Sequence, residues 1–318
     1  MSRSSEKMRR GSALGDERRD AGLTTPAYIR RFDDIQYGPD PDWNVLDVYR
    51  NRYLTGKLPV ILIVHGGGWV YGSKETYQFY GIELAKRGFA VVNYSYRLAP
   101  EHKFPASLED TVNVSAWLMS HASEFGFDTD RIFAVGDSAG GNLLGLFCAF
   151  LHNEEYRSQF PFRMPEEAER HFRLKAVGMN CGAYQLFNQE GHIDRPDDLG
   201  FMADLLMDPE EEEEAEADGE LSKAQIDDLI TKERKYIDVA ARVNRDFPPA
   251  YIMTCEGDFL KAQAPILQAA YQKAGAKSEL HIFGTKEKPL YHVFHCTVQE
   301  PEGQKCNDEE CDFFRKYF

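Results

Sequence analysis

Ser138, inside Gly136-Asp137-Ser138-Ala139-Gly140, is the side chain whose neighbours best equip it to act as a nucleophile. The five residues read G-x-S-x-G. They follow the apolar run Arg131-Ile132-Phe133-Ala134-Val135 and precede a helix-like stretch beginning Gly141-Asn142-Leu143-Leu144. A strand, a sharp turn and a helix with serine at the apex make a nucleophile elbow, where a Cβ on either flank would crowd the turn. Composition alone yields such a pentapeptide in roughly one chain of this length in ten, so the motif needs support from elsewhere. Upstream, the β-branched run Ile61-Leu62-Ile63-Val64 leads into His65-Gly66-Gly67-Gly68-Trp69. Its glycines leave backbone N–H groups bare to face an anion, which is what a developing oxyanion requires.

A serine hydroxyl needs a base to take its proton, and the base needs a carboxylate to fix its tautomer. With a strand–elbow–helix serine, the order along the chain is serine, acid, histidine. The apolar run Tyr251 to Cys255 ends at Glu256-Gly257-Asp258, which offers two carboxylates. Asp258 is favoured because it lies past the glycine turn, where a loop can swing a short side chain toward the serine; Glu256 is left to brace the turn. After the last strand-like run come His292 and His295. His292 is favoured as nearer the loop, with His295 as a packing or capping residue. His65 precedes the glycines and is assigned to holding that loop by a hydrogen bond. The remaining histidines carry no motif.

The elements that must position these groups alternate. Residues 28–37 and 43–49 read as a strand pair. Strands are expected at 58–64, 89–96, 131–135, 174–180, 250–255 and 279–283, and helices at 73–87, 107–125, 139–152, 260–274 and 308–317. Strands alternating with helices imply a mainly parallel central sheet covered on both faces, an α/β class, with an antiparallel edge. The stretch 187–246 breaks the pattern after a strand's carboxyl end, the functional rim of such a sheet, and reads as a mostly helical inserted cap. It contains the acidic run Pro209 to Glu220, expected to be a solvated face or loop. The catalytic core is then 28–186 with 247–318, and residues 1–27 form a polar, disordered or loosely docked arm that joins the cap.

The five matching stretches resemble the hormone-sensitive-lipase-like esterases of the α/β-hydrolase fold. They are His65 to Trp69, Tyr96-Arg97-Leu98-Ala99-Pro100-Glu101-His102-Lys103-Phe104-Pro105-Ala106, Gly136 to Asn142, Gly257-Asp258-Phe259-Leu260 and His292-Val293-Phe294. The resemblance implies Ser138 as nucleophile, Asp258 as acid, His292 as base, and an oxyanion hole from the N–H groups of Gly67, Gly68 and Ala139. It also implies a cap built from the N-terminal region plus an insertion. Two positions depart from the family pattern: Phe259 stands where proline is usual, and Val293 where glycine is usual.

The function expected from these features is hydrolysis of short-chain acyl or aryl esters through an acyl-enzyme. Trp69, Tyr71, Tyr184, Phe187, Phe201, Met202, Leu205 and Leu206 are candidates to line the pocket. The alternatives are a cinnamoyl (feruloyl) or carbohydrate acetyl esterase and, in another class, a non-catalytic small-ligand receptor of the same fold. No cofactor or metal is required. The net charge of -15 argues against nucleic acid and anionic membranes as partners. A small-molecule ester is the expected partner, and a homodimer is left open. Six scattered cysteines and no apolar leader segment fit a reduced cytoplasmic protein.

Overall fold

In the computed structural model, eight strands form one sheet in the order β1-β2-β4-β3-β5-β6-β7-β8. The structure describes residues 1–188, 190–193, 195, 197–208 and 221–318. The strands are β1 (Ile29–Gln36), β2 (Val45–Asn51), β3 (Leu58–Val64), β4 (Ala90–Tyr94), β5 (Phe127–Asp137), β6 (Leu174–Asn180), β7 (Ala250–Cys255) and β8 (Ser278–Phe283), and the helices numbered in chain order include α6 (Glu154–Arg157), α7 (Glu166–His171) and α9 (Lys223–Tyr236). β1 and β2 run antiparallel at one edge; from β4 to β8 every pairing is parallel. This is the α/β class with an antiparallel edge pair, as the alternating pattern implied.

β3 shows why the sheet needs two covers. All seven of its residues are buried. Val60, Leu62 and Val64 face one core, while Ile61 and Ile63 face the other. Side chains alternate across a strand, so a continuous apolar run requires helices on both sides. The first core is filled by α3 (Ala106–Ser120), α5 (Ala139–His152) and α10 (Gln263–Ala274) through residues such as Leu108, Leu143 and Leu267. The second is filled by α2 (Gln78–Lys86) and α11 (Pro301–Arg315) through Ile82, Leu84, Cys306 and Phe314.

Among the element boundaries that differ from the sequence-based expectation, four bear on the architecture. α2 begins at Gln78, not at 73, because Lys74 is buried in an ion cluster with Asp34 and Asp47 that holds the preceding turn. The expected helix 107–125 ends at Ser120, and a separate turn, α4 (Ala122–Phe125), follows and closes on Gly126 in the left-handed region. β5 extends from 127 through 137, so it carries its pairing with β3 and β6 right up to the serine. α11 begins at Pro301, before the expected 308, with proline in its first turn, where a missing N–H costs nothing.

The largest correction concerns the N-terminus. Its polar arm is an 18-residue helix, α1 (Arg3–Asp20), capped by the Ser2 side chain accepting from the Ser5 N–H. It docks on α8 (Asp197–Leu206) through Ser2 and Ser5, whose hydroxyls both donate to Asp204. Arg9 donates to the carbonyls of Val70 and Ala99 and pairs with Glu101. Arg19 reaches the Thr76 carbonyl. The helix is thus fixed by polar bonds, which leave no apolar stripe to read in the sequence. No helix among the described residues is long and apolar enough to cross a membrane.

Beneath β6, Glu310 of α11 is fully buried. It accepts from the Tyr80 hydroxyl at 2.6 Å and the Asn180 amide at 2.8 Å. Burial pushes its carboxyl up to about 7, with the Tyr80 and Asn180 hydrogen bonds opposing. The folded state therefore keeps this proton where the unfolded chain has lost it. Its contribution to stability is complete below the unfolded value of 4.5 and is lost as pH rises through about 7. Urea unfolding of wild type and Glu310→Gln across this window checks it. Wild type is expected to lose on the order of 3 kcal/mol more than the variant between pH 4.5 and 8. A pH-independent difference would count against the buried carboxyl.

Candidate active site

Ser138 sits at the carboxyl end of β5, an inner strand of the parallel set flanked by β3 and β6, at φ 53 and ψ -123. A non-glycine residue there costs on the order of 1–3 kcal/mol and persists only where the surroundings hold it. Two bonds do so: the Ser138 N–H donates to the Asn180 carbonyl at 3.0 Å, and its carbonyl accepts from Ala183 at 3.3 Å. Gly140 is obligatory, since a Cβ there would lie 2.1 Å from the Val64 carbonyl and 2.3 Å from that of His65. The elbow is thereby pressed against the end of β3, where the glycine loop begins.

Gly67 lies at φ 124, and a Cβ on it would lie 2.0 Å from the Tyr71 carbonyl. The Gly67 carbonyl accepts from Val70 and Tyr71, closing a tight turn. Among the described residues no acceptor takes the N–H groups of Gly67, Gly68 or Ala139. His65 is buried, with Nδ1 2.8 Å from the Gly66 carbonyl, and its ring stacks on Tyr96 at 4.0 Å. The Tyr96 hydroxyl in turn donates to the His65 carbonyl at 2.8 Å. Arg97 pairs with Asp110 and Glu109, so the Tyr96-Arg97 segment braces the loop and α3.

One connection in this region was not legible in the sequence. The Tyr77 hydroxyl donates to Asp137 Oδ2 at 2.6 Å and accepts from the Gly66 N–H at 2.9 Å. It ties the residue before the serine to the glycine loop. Asp137 is buried, and burial pushes its carboxyl up to about 6 while Tyr77 and the nearby His292 oppose the rise. Tyr77→Phe leaves the Gly66 N–H and Asp137 without this partner. It is expected to cost about 1–3 kcal/mol in thermal or urea unfolding and to lower kcat more than it raises KM. A variant equal to wild type in both would refute the tie.

At the carboxyl end of β7, Asp258 and His292 meet. His292 Nδ1 lies 2.7 Å from Asp258 Oδ1. Asp258 Oδ1 also accepts from the Leu260 N–H, and Oδ2 from the Thr254 hydroxyl, both at 2.9 Å. Burial pushes this carboxyl up, but the hydrogen bond and charge of His292, with Leu260 and Cys181, outweigh it and leave it below the usual range. An ionised Asp258 has only acceptors, so His292 donates from Nδ1 and Nε2 is left to accept a proton. A backbone bridge from Gly257 to Tyr291 holds the two loops together. The competing residues are placed elsewhere: Glu256 pairs with Lys261 at 2.6 Å, and His295 is fully buried against Tyr80. Val293 is held at φ 54, a strained conformation for a β-branched residue.

Cys181, Cys255 and Asp258 present donor atoms within 4.8 Å of one another. Of the three, Asp258 is already engaged by His292 and Thr254.

Above the glycine loop, the Met8 side chain of α1 and Phe201 of α8 come close to Gly68. An added Cβ there would lie 3.1 and 3.7 Å from them. Trp69, Tyr184, Phe187, Phe201, Met202, Leu205 and Leu206 are all buried within the core cluster, while Tyr71 is half-buried with its hydroxyl donating to Asp16 at 2.8 Å. Tyr184 packs beneath the elbow against Gly141 and Gly182. The acidic run 209–220 lies outside the described residues.

Comparison with known proteins places this geometry. Residues 61–295 match a family model described as alpha/beta hydrolase fold. Esterase LipC of Mycobacterium tuberculosis is 35% identical over 40% of this chain and 32% of its own length. Versiconal hemiacetal acetate esterase of Dothistroma septosporum is 26% identical over 73% of this chain and 66% of its own. Both matches span less than two thirds of the relative's length. Among solved structures, esterase B from Lactobacillus rhamnosis superposes with a TM-score of 0.80 at 22% identity, covering 97% of this chain and 92% of that one. EstE1, a thermophilic carboxylesterase from a metagenomic library, gives 0.70 at 22% identity over 98% and 97%. These two share the fold. The chain belongs to the α/β-hydrolase-fold family.

Proposed function

We propose that this chain is a serine carboxylic ester hydrolase acting on short acyl esters through an acyl-enzyme. The observation that carries the reading is the 2.7 Å Asp258–His292 pair at the sheet edge that also presents Ser138 in its elbow. In the proposed cycle Ser138 attacks the ester carbonyl and Nε2 of His292 takes its proton. Asp258 holds the imidazole and stabilises its charged form. The N–H groups of Gly67, Gly68 and Ala139 receive the oxyanion, each such donor being worth about 3–4 kcal/mol in the transition state. His292 then protonates the departing alcohol, and water releases the acid by the same route.

Short acyl groups are favoured because Met8 and Phe201 close the space above Gly68. The acetate ester in the name of the versiconal relative points the same way. In this reading 28–186 and 247–318 form the catalytic core, and 1–27 with 187–246 form the cap, joined at Asp204. All six cysteines are buried free thiols, which suits a reducing compartment such as the cytoplasm. A series of 4-nitrophenyl esters of increasing acyl length, with feruloyl and amide substrates alongside, tests the proposal. Turnover is expected to peak at acetyl to butyryl and fall with longer chains. No turnover of any ester, with tight binding of a small ligand, would favour the receptor alternative; a peak at feruloyl esters would move the substrate class.

A further inference from the structure

The stretch Tyr96 to Ala106 carries none of the reacting groups, yet it meets the N-terminal helix at the loop that serves them. That glycine loop is a strained turn. Gly67, Gly68 and Trp69 lie at φ 124, 60 and 62, and the third of them is not a glycine. Such a backbone persists only where its surroundings hold it. Within the loop, the Gly67 carbonyl accepts from the N–H groups of Val70 at 3.1 Å and Tyr71 at 2.9 Å. From outside it, the Ala99 N–H donates to the Trp69 carbonyl at 3.0 Å.

α1 takes hold of the same segments. Arg9 Nε donates to the Val70 carbonyl at 2.7 Å, and Nη2 donates to the Ala99 carbonyl at 2.9 Å. The guanidinium therefore joins the two backbone segments that meet at Trp69. Glu101 fixes it in that pose, accepting from Nη1 at 2.7 Å and from Nη2 at 2.6 Å. Two turns along the helix, on the same face, Asp16 accepts from the Tyr71 hydroxyl at 2.8 Å. Both residues that close the turn on Gly67 are thus held by α1, one through its carbonyl and one through its side chain. A planar guanidinium can serve two carbonyls and a carboxylate at once, a geometry that an ammonium does not match.

We propose that Arg9 is a positioning residue for the oxyanion hole: by joining the Val70 and Ala99 carbonyls it holds the backbone that aims the Gly67 and Gly68 N–H groups. It touches no reacting atom and acts through Val70 and Trp69. The role rests on the ester-hydrolase reading above, and it adds to that reading a residue from outside the catalytic core. It also gives a function to Glu101, which keeps the guanidinium in register with both carbonyls. Undocking α1 would leave Ser138, Asp258 and His292 in place but loosen the loop that receives the oxyanion.

The test compares Arg9→Met with wild type on 4-nitrophenyl butyrate and on inhibition by an aliphatic trifluoromethyl ketone, whose serine adduct places an oxyanion in the hole. The kcat is expected to fall by about 10- to 100-fold, as donors misplaced on the order of 1 Å would give, while KM changes by less than about threefold. The Ki of the ketone is expected to rise by the factor by which kcat/KM falls, because both read the oxyanion donors. Arg9→Lys keeps the charge and the pairing with Glu101 but not both carbonyl bonds, and is expected to fall between the two. If Arg9→Met does not fold, Arg9→Lys decides with the same readouts. Ser5→Ala loosens the end of α1 that meets Asp204, and is expected to change kcat by less than about threefold. An unchanged kcat in Arg9→Met, a ketone Ki that stays constant while kcat falls, or an equal loss in Ser5→Ala overturns the role. If wild type hydrolyses the ester in that case, the ester-hydrolase reading survives without it. If wild type neither hydrolyses the ester nor binds the ketone, that reading itself has failed, and the positioning role falls with it.

Discussion

Ser138→Ala is expected to lower kcat on 4-nitrophenyl butyrate by about 10⁴- to 10⁶-fold, leaving the fold intact. The size of the loss follows from the chemistry. Without the hydroxyl no acyl-enzyme forms, and only the N–H groups of the glycine loop and substrate binding remain to assist water. The substitution is also structurally mild. Alanine keeps a Cβ at φ 53, and the bonds that hold the elbow run through the backbone, from the Ser138 N–H to Asn180 and from Ala183 to the Ser138 carbonyl. Far-UV circular dichroism and the thermal midpoint should therefore match wild type. A fluorophosphonate probe should label the wild-type chain once and the variant not at all. Residual turnover above about 1% of wild type would sink the nucleophile assignment, since it would exceed what an intact oxyanion hole supplies alone.

Asp258→Asn is expected to reduce kcat by about 10⁴-fold with little change in KM. An amide at 258 fits the same space but can present its NH₂ to His292, which then carries its proton on the wrong nitrogen. Nε2 would become a donor and lose the capacity to accept from serine. Glu256→Gln is the matched control. Glu256 lies two residues away yet faces Lys261, and an exposed or half-exposed ion pair is worth roughly 0–1 kcal/mol. Its loss should change kcat by less than about threefold. Equal losses in both variants would mean that the two carboxylates act through the turn itself, not through His292. A large loss in Glu256→Gln alone would reverse their roles.

The departures from the sequence-based picture share one cause. α1 carries no apolar stripe, so its pattern reads as an unanchored arm; its anchors are Ser2, Ser5, Arg9 and Arg19, bonded to residues from 57 to 202 positions away. Tyr77 likewise has no motif, and its importance comes from a carboxylate sixty positions downstream. Phe259 was visible as an unusual residue, but only the fold brings it between Arg195 and His292. Polar and aromatic contacts across long separations leave no period in the sequence.

What the sequence determines by itself is local. An apolar run followed by a glycine-flanked serine and a helix specifies the elbow, because the backbone there tolerates no Cβ on its flanks. His65 to Gly68 specifies a loop of bare N–H groups for the same reason, and alternating strands and helices specify a mainly parallel sheet. The choices between Asp258 and Glu256, and between His292 and His295, are not local. Each pair sits within three residues on one loop, with the same chemistry available. Tertiary structure separates them: the Gly257–Tyr291 bridge sets the register of the two loops, which turns Asp258 and His292 toward each other, Glu256 toward Lys261, and His295 into the core.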